Sequence, residues 1–95
     1  MKHVCIRNWD KFQHYKRRRP PWIKLYVDML DDEDLQAMQS TSRLLYCLLL
    51  LVAARRGNRF PMNPVWIAEE VALPVAQVRR ALPSLLASKH LERTR

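Results

Sequence analysis

Residues 63–83, NPVWIAEEVALPVAQVRRALP, decide how the rest of the chain is read. Asn63 suits a helix N-cap because its side-chain oxygen can accept from an orphan backbone N–H, and Pro64 suits the first helical position, where no N–H is needed. From there Ile67, Ala68, Val71 and Ala72 fall on one face at helical spacing, while Glu69 and Glu70 point away from it. The pair Leu73-Pro74 ends the run, since a residue before proline is pushed out of the α region. A second helix follows over about 75–88. Its apolar positions Val78, Ala81, Leu82, Leu85 and Leu86 share a face, which leaves Gln77, Arg80 and Ser84 opposite and Arg79 on a flank.

Two helices joined by so short a turn read as a helix-turn-helix. Small Ala68, small Ala72 at the turn and β-branched Val78 match the most characteristic positions of that pattern, and Ile67, Val71, Leu73 and Ala81 match its apolar ones. The reason is packing: two steeply crossing helices approach closely only over a small side chain. The alternative is an ordinary helical hairpin in a core.

The 95 residues are expected to form a single domain, large enough to bury about 60–70% of its unfolded surface without staples. Seventeen basic against nine acidic residues give +8, which favours a polyanionic partner, nucleic acid first. The charge is segregated: residues 1–24 carry +7, residues 25–54 carry −4 and residues 55–95 carry +5. Such polarity suits a protein that turns one side toward phosphates. Cys5 and Cys47 read as reduced thiols of a cytosolic protein. No apolar leader opens the sequence, and the run 44–54 is too short to cross a bilayer. A single glycine argues against a phosphate-cradling loop.

Before the motif, Val4 and Ile6 alternate with Cys5 and Arg7, which predicts a short strand in need of a partner. The cluster His14-Tyr15-Lys16-Arg17-Arg18-Arg19 reads either as a phosphate-contacting arm or as a solvated turn, and the charge segregation favours the arm. Pro21 predicts a helix over 22–30 with Ile23, Tyr26, Val27 and Leu30 inward. The acids Asp31, Asp32, Glu33 and Asp34 lack the spacing and glycine of a calcium loop and read as helix-start carboxylates, so no metal is expected. Ser40, Thr41 or Ser42 should cap a helix running to Ala54, with Arg55 and Arg56 at its negative end and Gly57 stopping it. That helix is apolar almost all round and reads as the central pillar; a second reading has one side of it, 44–54, pairing with another copy. Arg59-Phe60-Pro61 reads as an extended link, and 89–95 as a last strand.

Phe12-Gln13-His14-Tyr15, the run Arg19-Pro20-Pro21-Trp22-Ile23-Lys24-Leu25-Tyr26, the leucine-rich helix and Pro64-Val65-Trp66-Ile67-Ala68 together resemble the N-terminal winged-helix domain of phage and prophage replication proteins, of the initiator or replisome-organiser kind. The resemblance covers nearly the whole chain. It implies a cytoplasmic DNA-binding domain that marks an origin or helps assemble a helicase loader. Such proteins usually continue into a second domain that contacts the loader or helicase, a part these residues do not include. Two departures stand out. His90 occupies the place where winged helices tend to have glycine before the wing, so a side chain would have to sit at a left-handed position. Pro83 lies inside the second helix, where it removes a hydrogen bond at a cost of about 3 kcal/mol, so a kink, or a break and restart, is expected at Leu82-Pro83.

The expected fold is therefore mainly α with a small β element: a winged helix-turn-helix with an N-terminal strand and an incomplete wing. The last strand has only residues 3–7 as a convincing partner, so the two chain ends should pair, because unpaired strand edges are costly. In double-stranded DNA, Pro74, Val75, Ala76, Gln77, Arg79 and Arg80 would face the major groove, Arg80 suiting guanine edges and Gln77 adenine. Lys16, Arg17, Arg18, Arg19, Arg55, Arg56 and Arg59 would hold phosphates. His3, His14 and His90 are scattered, no nucleophile sits beside a base, and His3 with Cys5 make only half a zinc site. Neither an enzyme nor a cofactor is expected. Trp22 and Trp66 should pack, and Trp9 is left open to stack on a base. A protein-interaction module and a small transcriptional regulator are the rival readings.

Overall fold

The computed structural model describes residues 2–12 and 22–94. Along the chain they form strand β1 (His3–Ile6), a 3₁₀ turn at Trp9–Lys11, a 3₁₀ helix at Val27–Asp31 and the short helix α1 (Glu33–Ala37). Then come the long helix α2 (Ser40–Arg56), β2 (Phe60–Pro61), α3 (Pro64–Val71), α4 (Val75–Ala87) and β3 (Leu91–Thr94). The fold is mostly helical, with four α-helices and a small antiparallel sheet among the described residues. No helix among them is long and apolar enough to cross a membrane.

The sheet has the order β2-β1-β3. Pairing of the two chain ends is as expected, with Val4 opposite Arg93 and Ile6 opposite Leu91. What the sequence reading missed is that Phe60–Pro61 is a strand rather than a link, paired through Val4 with Phe60 on the other edge of β1. Asn58 extends that edge: its Oδ1 accepts from the Ile6 N–H at 2.7 Å and its Nδ2 donates to the Ile6 carbonyl at 3.0 Å, as a strand residue would. Because β1 is central, its inward Val4 and Ile6 are fully buried.

Helix α2 is the pillar. Leu45, Tyr46, Leu49, Leu50, Val52 and Ala53 are buried, and the helix packs against α3, α4 and β1. Gly57 ends it at φ 88°, ψ 157°, a region that is essentially glycine's alone. Its start differs from the expected serine or threonine cap. Gln39 is the N-cap and makes no side-chain capping bond, while Ser40 already lies inside the helix and its Oγ accepts from Arg43 at 3.3 Å.

Two further corrections concern proline-bearing segments. Residues 22–26 are not helical and only a 3₁₀ helix follows, because the Lys24 N–H donates to the Phe12 carbonyl at 2.7 Å and ties the chain into an extended path. Val27 and Leu30, expected inward, are 83% and 75% exposed, and Trp22, expected to pack, is half exposed. Of the kink or break expected at Leu82-Pro83, the break does not occur: α4 is continuous through it. Pro83 sits on the exposed face, where water can meet the carbonyl it leaves unmatched, so the lost bond does not fall in the core.

Candidate nucleic-acid interface

Helices α3 and α4 are positioned as their residues dictate. Asn63 Oδ1 accepts from the N–H groups of Val65 at 3.0 Å and Trp66 at 3.3 Å, capping α3 just before Pro64. Ile67, Ala68 and Val71 are buried against Val78, Ala81, Leu82 and Leu85 of α4 and against α2. Between the helices, Ala72 adopts the left-handed conformation, φ 57°, ψ 43°, and its N–H returns to the Ala68 carbonyl. That conformation costs a residue with a Cβ about 1–2 kcal/mol, and Ala72 lacks the polar side chain by which asparagine or aspartate offsets it.

With its apolar stripe inward, α4 presents Val75, Ala76, Arg79 and Arg80 to solvent and holds Gln77 half buried, with Pro74 exposed just ahead of the helix. Neither Arg79 nor Arg80 meets a carboxylate among the described residues. The cations expected on phosphates are less uniform. Lys16, Arg17, Arg18 and Arg19 lie outside the described residues, although Phe12 and Lys24, on either side of them in sequence, are hydrogen-bonded to each other. Arg55 and Arg56 both pair with Glu70 of α3, whose side chain is nearly buried instead of pointing away as expected. Arg56 also lies over the Trp66 ring at 6.0 Å, and Trp66 stacks on Phe60. These two arginines therefore fasten α2 to α3. Arg59 is exposed between α2 and β2. Trp9, left open as a base-stacking platform, packs against the core beside Phe12.

Beyond the far end of α4 the histidine read as isolated joins a relay. His90 Nε2 lies 2.9 Å from Asp32 Oδ2, His90 Nδ1 lies 2.6 Å from Ser88 Oγ, and Ser88 Oγ donates to the Leu85 carbonyl at 3.1 Å. Asp32 also caps α1 through Oδ1 to the Leu35 N–H. Burial works to raise the Asp32 carboxyl, but the hydrogen bond and charge of His90 and the bonds from Leu35 and Asp34 hold it below the usual carboxylate range. Tyr46, edge-on to His90 at 5.0 Å, is pushed up to about 12 by burial, then by Asp32 and Cys47. With the serine at a helix C-cap and its proton directed at a backbone carbonyl, the relay clips the α4–β3 turn to α1. The left-handed residue of that turn is Lys89, φ 64°, one position before the expected His90.

The partner of His90 is 58 residues away, so no local spacing announces it. The two bonds of Asn58 to Ile6 span 52 positions, so no local spacing announces them either. Among the described residues no group of three or more histidine, cysteine or acidic side chains converges as a metal site. Cys5 and Cys47 are both free thiols, and burial pushes each of them up. Compared with known proteins, the chain matches no family model, no curated protein and no solved structure.

Proposed function

We propose that the chain is a winged helix-turn-helix domain that binds double-stranded DNA, with α4 as the recognition helix in the major groove. The observation that carries this reading is the exposed face of α4, where Arg79 and Arg80 stand beside Val75 and Ala76 with no carboxylate among the described residues to neutralise them, on a chain of net charge +8. The sheet order supports the winged form. The two terminal strands pair next to the helix pair with β1 in the central place, as a sheet standing in for an incomplete wing would. Arg59, and the basic run Lys16, Arg17, Arg18 and Arg19, would hold the flanking phosphates. A role in phage-type replication, beside a helicase loader, rests on the resemblance of the FQHY and PPWIKLY segments.

Duplex affinity measured across salt concentrations tests this. Log affinity is expected to fall with log salt with a slope of about −0.9 for each phosphate neutralised, and a flat response removes the proposal. A second reading is favoured by one observation: Leu44 and Leu51, one heptad apart on α2, are each about half exposed. A dimer formed through that face would be seen by sizing the protein without DNA.

A further inference from the structure

We propose that the chain self-associates head to tail, the acidic apolar surface of residues 25–34 in one copy docking on the basic apolar stripe of α2 in the next. Such a contact needs no DNA, and unlike a dimer through α2 alone it joins two different surfaces.

Leu25, Val27 and Leu30 are exposed within one short stretch of chain. The backbone that carries them is fixed. The Lys24 N–H donates to the Phe12 carbonyl, Lys11 Nζ lies 4.7 Å from the centre of the Tyr26 ring, and Gln36 Nε2 donates to the Leu30 carbonyl. Ile23 and Met29 of the same stretch pack against the core. The outward apolar side chains are therefore held in place while nothing among the described residues covers them, which is the mark of a surface that meets a partner. Asp31, Glu33 and Asp34 follow directly, and α1 packs on the 3₁₀ helix Val27–Asp31. All three acids are exposed, and none meets a cation among the described residues.

The second uncovered apolar surface has the opposite charge. Leu44 and Leu51 stand half exposed on α2 with half-buried Leu48 between them. Helix α2 contains no acidic residue and carries Arg43 in its second turn and Arg55 and Arg56 at its end. Arg43 meets Ser40 Oγ and no carboxylate, and Arg55 and Arg56 share the one carboxylate of Glu70, so the stripe stays net basic. The two surfaces lie on different sides of the molecule. Tyr46 is edge-on to His90, which is bonded to Asp32 beside the 25–34 surface. With about 100° between successive residues, Leu44 and Leu51 stand roughly 160° and 140° around α2 from Tyr46. One surface cannot close over the other within a copy, and each is open to a separate neighbour.

Charge decides the pairing. A two-fold contact of α2 with α2 would bring together helices that carry arginines and no acid, and a two-fold contact of 25–34 with itself would set carboxylates against carboxylates. The head-to-tail contact sets carboxylates against arginines around an apolar centre. The same carboxylates disfavour phosphate-bearing partners, nucleic acid or anionic lipid, at 25–34.

The test uses the full chain in two variants, each altering one surface at exposed positions: Leu44→Gln with Leu51→Gln, and Val27→Gln with Leu30→Gln. Both should keep the cooperative thermal transition of the unaltered protein, because no buried side chain changes. In sedimentation velocity without DNA, the unaltered protein is expected to form larger species as its concentration rises, and less so as salt is added. Each variant alone should stay monomeric, and an equal mixture of the two should form a dimer and nothing larger, since each supplies the surface the other lacks. An unaltered protein that stays monomeric throughout, or a mixture that does, would overturn the proposal. So would a Val27→Gln/Leu30→Gln variant that dimerises alone, which shows a two-fold contact through α2, or a Leu44→Gln/Leu51→Gln variant that does, which shows one through 25–34. Association that strengthens with salt would remove the charge pairing and overturn it as well. None of these outcomes depends on whether the protein binds duplex DNA.

Discussion

The α3–α4 pair and the segment 22–31 carry similar local signals and end in opposite states. Each has a proline near its start and apolar residues at helical spacing. In the pair, that spacing matches a surface on α2, so Ile67, Val78 and Leu85 are completely buried and both helices complete their turns. In 22–31 only part of the spacing finds cover: Ile23 and Met29 pack against the core, Lys24 is held by Phe12, and Leu25, Val27 and Leu30 stay in solvent. Helix formation in water needs an apolar face with something to cover it, since isolated segments of this length lack the cooperativity to stand alone.

The largest expected effect concerns the scaffold behind the pair. Deleting residues 1–8 removes the central strand of the sheet with buried Val4 and Ile6, and should abolish the cooperative thermal transition followed by circular dichroism. A truncated chain melting as before would mean that β3 and β2 do not depend on β1. Next comes the contrast itself. Leu85→Ala should cost about 2–5 kcal/mol in denaturant unfolding, and Leu30→Ala less than about 0.5 kcal/mol. Comparable losses at the two sites would show that the 22–31 segment is packed in solution.

Asp32→Asn separates the clip from the core. At neutral pH it should cost about 1–2 kcal/mol through the weakened bond to His90. The folded state holds the Asp32 carboxyl below its ordinary range, so its contribution is complete above the unfolded value of about 3.9 and is lost as pH falls through the lower folded value. The unaltered protein should therefore lose stability more steeply than Asp32→Asn as pH is lowered from about 4. Parallel acid limbs would remove the clip as a source of stability. The smallest effect sharpens the turn: Ala72→Gly relieves a left-handed alanine and should stabilise by about 0.5–1 kcal/mol, seen as a rise in melting temperature.

Within the candidate site, the exposed and buried sides of α4 were legible because a helix's faces follow from residue spacing alone. What Arg55 and Arg56 do was not legible. The spacing places Arg80 outward, where it is exposed, but reads Arg55 and Arg56 as helix-end cations when they also pair with Glu70, 15 and 14 residues away.

By itself the sequence determined the features that short-range chemistry controls. These are the Asn63-Pro64 start, the Ala72-Leu73-Pro74 turn, the stripe of Val78, Ala81, Leu82 and Leu85, the Gly57 stop, and the need of the two terminal strands for each other. Only the tertiary structure decided that Phe60–Pro61 is a strand, that residues 22–26 are not a helix, that Asn58 completes the sheet edge and that Asp32 reaches His90. In each of these a backbone or side-chain group finds its partner more than ten positions along the chain. Which of the possible partners it meets depends on where the packed core brings the backbone, and no local preference encodes that.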